Sequence, residues 1–291
     1  MRIPAIAVAL AVLGGVPAVA QNNPPAPKIT DLGGGIQVIF GQGGNIGVSA
    51  GPDGAFVIDD QYPNTAAANL EKIKQISGGA PRYLVNTHWH GDHAGGNAAF
   101  AQAGAMIFAH ENVRKRLSGE VKSVGLNGQP AAASPEPACP VVTFVDGVDF
   151  HLNSETIRVF KVRAGHTDGD SMIHFVEPDI LHMGDVFFNG LFPVIDPGSG
   201  GSVRGYLEAM KDTLKIVDVE RKPEGMSGNL KTDKSFLQDQ ASVRSLAERG
   251  FFYGPLEEHD GPVAVSLRIL VSGPSHRIGL VSPGLVALSI G

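Results

Sequence analysis

The sequence predicts an α/β chain in which two mixed β-sheets pack face to face and helices cover the outside of each, an αββα sandwich. Three observations carry this. Short apolar runs separated by Gly and Pro turns open the chain, as in IQVIF (36–40) and AFVID (55–59). Apolar residues at helical spacing follow, and from residue 82 strand and helix alternate. Meanders of strands interrupted by helices bury their faces well as two packed sheets with helices outside.

The elements follow in order. IQVIF, NIGVSA (45–50) and AFVID read as strands, the last two joined by Pro52-Asp53-Gly54, where Pro fixes one dihedral and Gly allows positive φ. Ala66, Leu70, Ile73 and Ser77 fall at helical spacing over 64–77, with Asn64 or Thr65 as cap and Gly78-Gly79 as stop. RYLVN (82–86) is a strand, residues 87–93 a polar loop, the next stretch to about Ala103 a small-residue helix, and AMIFAH (105–110) another strand. After a Pro-rich loop (130–140), strands are expected at 141–145, 156–162, 172–176 and 180–183. Val203, Leu207, Met210 and Leu214 mark one face of a final helix.

Arg2 precedes an uncharged apolar run from Ile3 to Val16, and Ala18-Val19-Ala20 supplies small residues two apart. That pattern reads as a signal peptide over 1–20, because Pro4, Gly14, Gly15 and Pro17 interrupt the run and disfavour a membrane span. The expectation is a periplasmic or secreted chain starting at Gln21, with no membrane attachment after cleavage. Residues 21–35 then form a Pro-rich leader with no core to join. A main domain over 36–217 and a C-terminal segment of uncertain structure over 218–291 complete the organisation.

Composition narrows the function. With 43% hydrophobic and 18% charged residues the chain can build a core rather than remain disordered. The formal net charge of -6 argues against nucleic acid and for a small-molecule substrate. The single cysteine, Cys139, permits no internal disulfide and stands between prolines as a bystander.

The chemistry concentrates in Asn86-Thr87-His88-Trp89-His90-Gly91-Asp92-His93, directly after an expected strand. Neutral imidazoles and carboxylates are the usual ligands of zinc and related divalent ions, and a loop at a strand end can direct alternate residues toward two metals. The other histidines invite plainer readings. His110 and His151 are expected at or near the surface, and His174 and His182 as core residues or supports near the site. Asp59, Asp60, Asp168 and Asp170 read as strand-end or loop carboxylates that either orient the histidines or cap turns. Gly198-Ser199-Gly200-Gly201-Ser202 lacks the Lys-Ser or Lys-Thr of a phosphate loop and is expected to lend freedom beside the cleft.

The His-x-His-x-Asp-His run resembles the metal-binding loop of the metallo-β-lactamase superfamily. Gly165-His166-Thr167-Asp168 and Met183-Gly184-Asp185 continue the resemblance downstream. It implies an αββα fold, with His88, His90 and His166 holding one zinc, Asp92 and His93 the second, and Asp185 between them. Asp185, where other members carry Cys or Ser, is similar to the glyoxalase II-like and general hydrolase branches rather than the true β-lactamases. His90 stands where the di-iron branch carries Glu. The family's last histidine has no counterpart in Arg221-Lys222-Pro223-Glu224-Gly225-Met226-Ser227-Gly228. His259 and His276 lie later in unlike contexts, so residues 218–291 read as divergent or frameshifted.

The resemblance therefore implies an exported zinc-dependent hydrolase in which metal-activated hydroxide attacks an ester, thioester, lactone or β-lactam carbonyl, with Asp92 orienting the water or taking its proton. One tight zinc and a second, weaker one are expected. The alternative is a metal-binding but catalytically impaired member that has lost its last ligand loop.

Overall fold

In a computed structural model, residues 26–188 and 193–216 are described. The expected signal peptide, the stretch 221–228, His259 and His276 lie outside them. Among the described residues, no helix is long and apolar enough to cross a membrane.

The first sheet has seven strands in sequence order: β1 (Lys28–Gly33), β2 (Ile36–Phe40), β3 (Ile46–Gly51), β4 (Gly54–Ile58), β5 (Pro81–Asn86), β6 (Met106–His110) and β7 (Val142–Phe144). It is antiparallel from β1 to β4 and parallel from β4 to β7. The second sheet holds β8 (Gly147–Leu152), β9 (Glu155–Lys161), β10 (Ser171–Phe175) and β11 (Ile180–His182), and is antiparallel rather than mixed. Each of its connections is short enough for a hairpin or tight return, so no parallel crossover arises.

One expectation at the chain's start needs correction. Residues 28–33, assigned to a leader without a core, pair with β2 and bury Leu32. A Pro-rich opening masks the short strand that follows. Two elements were not foreseen in full: β8, whose half-exposed alternation GVDFHL carries few strong apolar residues, and the helix after β6.

Side-chain alternation builds the layers. In β4, Phe56 and Ile58 face the second sheet, where they join Val85, Phe108, Ile157, Val159, Ile173 and Phe175. Ala55 and Val57 point the other way, onto helices α1 (Ala66–Ser77) and α3 (Asn97–Gln102), through Ala66, Ile73 and Phe100. A short helix α2 (Gly91–Ala94) lies between β5 and α3, and α4 (Glu111–Leu117) follows β6. Helix α1 stops where Gly78 takes φ 74, a conformation glycine adopts without penalty. Thr65 sits at its N-cap, although its hydroxyl bonds Tyr62 O instead of capping the helix. The Pro52-Asp53-Gly54 turn forms, with Gly54 at φ 98.

The last helix, α5 (Val203–Ile216), covers the second sheet with a face rotated from the expected one, of which Met210 is buried as expected. Tyr206, Ala209, Met210 and Thr213 are buried, while Val203 is exposed. Close approach sets this rotation: Gly205 lies against the Ala164 carbonyl, where no Cβ fits. At the far end of the sandwich, the Glu177 amide donates to Glu155 Oε1 (3.1 Å) and Glu177 accepts from Thr156. Burial and this neighbouring carboxyl push Glu155 up to about 7.

Candidate metal centre

The strands deliver the site to one edge. The parallel strands β4 and β5 end side by side, placing Asp59 beside the 87–93 segment, while the β9–β10 connection and the end of β11 bring His166 and Asp185 from the second sheet. Two groups of ligand-type side chains result: His88, His90 and His166, and His88, His93 and Asp185, the donor atoms of each within 4.8 Å of one another.

Proton accounting shows what the first group can hold. Thr87 Oγ1 donates to Asp59 Oδ2 (2.7 Å) and so accepts from His88 Nδ1 (3.1 Å). His90 Nε2 donates to Asp196 Oδ2 (2.9 Å), and His166 Nδ1 to the Val194 carbonyl (2.7 Å). These tautomers follow from the partners. Each neutral ring has then committed its only proton outward. The remaining nitrogens converge: His90 Nδ1 lies 3.1 Å from His88 Nε2 and 2.8 Å from His166 Nε2. Three lone pairs facing one another repel unless a cation lies among them, so this donor set fits a divalent metal. Burial, reinforced by the neighbouring histidines, holds His88 well below its ordinary pKa, and burial lowers His90 too, keeping both in the ligating neutral form.

The second group is charged. His93 Nδ1 donates to Asp59 Oδ2 (2.7 Å), and its buried Nε2 lies 3.0 Å from Asp185 Oδ1 without the alignment of a hydrogen bond. Burial disfavours the His93 cation, yet Asp59 and Asp185 outweigh burial and raise its pKa well above the ordinary value. Burial raises Asp185, but His93 and His166 overcome this and hold its carboxyl low. Asp185 also lies 3.6 Å from His166, between the groups. Asp92, expected as a ligand of the second metal, is half-buried at the rim, 3.7 Å from His93 Nε2 and outside both groups. It stands in the first turn of α2 with its carboxylate part-exposed.

The glycines of 41–44 close the other wall. A Cβ at Gly44 would collide with the His93 ring, and one at Gly43, itself at φ 96, would crowd Asp92 and Tyr62. Burial, with Asp92 next, raises the Tyr62 phenol and keeps it protonated.

The supporting carboxylates divide as follows. Asp59 accepts from Thr87 N, Thr87 Oγ1 and His93, so it orients rather than caps. Asp60 accepts from Gly96 N; burial raises its pKa. Asp170 takes the amides of His166 and Thr167, and Asp168 pairs with Arg116 of α4 (2.6 Å). His182 bridges Asn45 O and Gly184 N, and His174 pairs with Asp179 (2.9 Å). His151 is exposed, whereas His110, expected near the surface, is buried where it caps α4. The stretch 198–202, expected to be slack, is pinned: Ser199 accepts from Trp89 Nε1 (3.0 Å), and a Cβ at Gly201 would strike the His166 carbonyl. Asp196 and Val194 were missed in the sequence because no motif surrounds them; Asp196 stands 106 positions from its partner.

The chain is similar in sequence and fold to known proteins. A hydroxyacylglutathione hydrolase of Erythrobacter litoralis is 36% identical over 142 residues, 46% of this chain and 48% of that protein. One from Gloeobacter violaceus is 27% identical over 204 residues, covering 67% of this chain and 71% of its own. The chain thus spans about half the length of the first of these relatives. Among solved structures, the native metallo-beta-lactamase of Legionella gormanii superposes with a TM-score of 0.59 at 16% identity, over 80% of this chain and 98% of that one. The metallo-beta-lactamase of Pontibacter korlensis gives 0.58 at 18% identity, over 75% and 99%. At such identities these two show the shared fold alone. Residues 40–223 match the family model described as the metallo-beta-lactamase superfamily, a span holding all six candidate ligands, and the chain belongs to that superfamily.

Proposed function

We propose that this chain is an exported zinc-dependent hydrolase that cleaves an acyl bond in a small molecule. The observation that carries the reading is the convergence of His88 Nε2, His90 Nδ1 and His166 Nε2, each ring braced from behind. His88, His90 and His166 would hold the tighter ion, and His93 with Asp185 the weaker, Asp92 closing in from the rim. A divalent ion held there would acidify water and polarise a carbonyl.

The chain's own groups do the rest. Asp92, half-exposed at the mouth, is placed to accept a proton from water arriving there. Tyr62, kept protonated beside it, can donate to a substrate oxygen. Asp59 fixes the His93 ring, and the 41–44 backbone narrows the cleft above it. The relatives' names favour an acyl thioester of glutathione or a similar thiol over a lactam, in line with Asp185 at the bridging position. The apolar preface ending at Ala20 supports export.

Elemental analysis of the purified chain, followed by ester, thioester, lactone and β-lactam assays, tests the reading. The expected result is about one tightly held zinc per chain, with thioester turnover rising as zinc is added. A second reading, metal binding without efficient turnover, draws on the absence of histidine from 221–228. Zinc at that stoichiometry with no turnover on any of the four substrate classes would favour it.

A further inference from the structure

We infer that Asp196 is a positioning residue that fixes His90 with Nδ1, rather than Nε2, turned toward His88 and His166. This rests on the reading of those three histidines as a metal site.

His90 differs from its two companions. His88 and His166 present Nε2 to the centre, while His90 presents Nδ1. An imidazole at the start of a short helix can turn either nitrogen inward, so something must select. Its chain neighbours Trp89 and Gly91 offer no acceptor side chain, and the nearby Asp92 carboxylate lies by His93 (3.7 Å). The buried Asp196 carboxylate is the selector, accepting from His90 Nε2 at 2.9 Å and committing the ring's proton to the outside.

Asp196 can act this way because it is itself immobilised on several sides. Its backbone amide donates to the His166 carbonyl (3.0 Å), its carbonyl accepts from Gly201 N (2.9 Å), and its Oδ1 accepts from Ser199 N (3.2 Å). Ser199 in turn accepts from Trp89, the residue before His90, and its carbonyl accepts from Asp168 N. Val194, two residues earlier, accepts from His166 Nδ1. One short segment therefore sets two of the three rings, one through a side chain and one through a carbonyl. A carboxylate also makes the imidazole a stronger ligand than a neutral acceptor can.

The test compares the full chain with Asp196→Asn and Asp196→Ala, using zinc alone as the probe. Competition against a chromophoric chelator should show zinc affinity falling about 10–100-fold in Asp196→Ala, with Asp196→Asn between. The visible spectrum of the cobalt-loaded chain should shift in both. Circular dichroism of the metal-free chains identifies a variant that fails to fold. Independently, ¹⁵N spectra of the metal-free wild type should show His90 protonated at Nε2, assigned by its loss in His90→Gln. His90 protonated at Nδ1 would overturn the inference, as would folded variants whose zinc affinity and cobalt spectrum match wild type. A wild-type chain that binds no zinc would instead sink the metal reading, while the ring spectrum would still decide the role of Asp196.

Discussion

His88, His90 and His166 are buried and each is braced from behind by a neutral or anionic acceptor, whereas beside them the equally buried His93 meets the part-exposed carboxylate of Asp185. The first group sends every ring proton outward and keeps two of its rings neutral by burial. In the second, carboxylates overcome burial and hold a proton on His93. A buried neutral set suits holding an ion; a charged one with a part-exposed carboxylate suits exchanging it and meeting substrate. The contrast arises from the strand ends: the floor is made by side chains between sheets, the rim by the start of α2.

Replacing the shared member should have the largest effect. His88→Ala removes a ligand from both groups, and the expected outcome is loss of tight zinc and a fall in turnover on the order of 10³-fold or more, equal to ~4 kcal/mol. Elemental analysis beside initial rates checks it; full zinc content in this variant would erase the distinction between the groups.

Asp92→Ala should divide them. Turnover is expected to drop roughly 10²–10⁴-fold, the range for a lost proton acceptor, with the tight zinc retained. Parallel loss of zinc and activity would place Asp92 among the ligands of the floor instead of at the mouth. Asp59→Asn should weaken the second group most, by about 10–100-fold in zinc affinity, because His93 loses its carboxylate acceptor, with a smaller loss at the first group, where Thr87 behind His88 also leans on Asp59. Calorimetric titration resolves the two binding steps, and an unchanged weaker step would count against the orienting role of Asp59.

The smallest effect lies away from both groups. Glu155, held at about 7 against 4.5 when exposed, binds more protons folded than unfolded between those values. Its contribution is therefore complete below about pH 4.5 and is lost as pH rises toward 7, roughly 1 kcal/mol or about 2–4 °C in melting temperature. Melting curves of wild type and Glu155→Gln across that interval should converge at low pH and separate near neutrality. Zinc affinity should be unaltered, which keeps stability apart from occupancy.

Much of this was legible in the sequence for identifiable reasons. His88, His90, Asp92 and His93 stand within six positions, so their joint occurrence is visible without a fold. Strands β2, β4 and β6 are mostly apolar because both sheet faces are covered, and such runs are read easily. What escaped depends on packing across long separations. Helix α4, with seven residues, buries only Val113, Arg116 and Leu117, too brief a period to stand out. The buried face of α5 follows from Gly205 seating against Ala164, and Asp196 from a loop folding back over the histidines. Neither leaves a local pattern.

The arrangement of the first group also bears on how the chain holds itself together. His88 and His90 follow the end of β5 in the seven-stranded sheet and His166 lies between β9 and β10 of the four-stranded sheet, 78 positions beyond His88. An ion shared by the three is thus a cross-link between the halves of the sandwich, closing a long loop in a protein whose single cysteine can form no internal disulfide. Unlike a disulfide, its strength is set by mass action: at a thousandfold excess of free zinc over the Kd it adds about 4 kcal/mol, and in a zinc-poor compartment the same sandwich relies on its apolar interlayer alone.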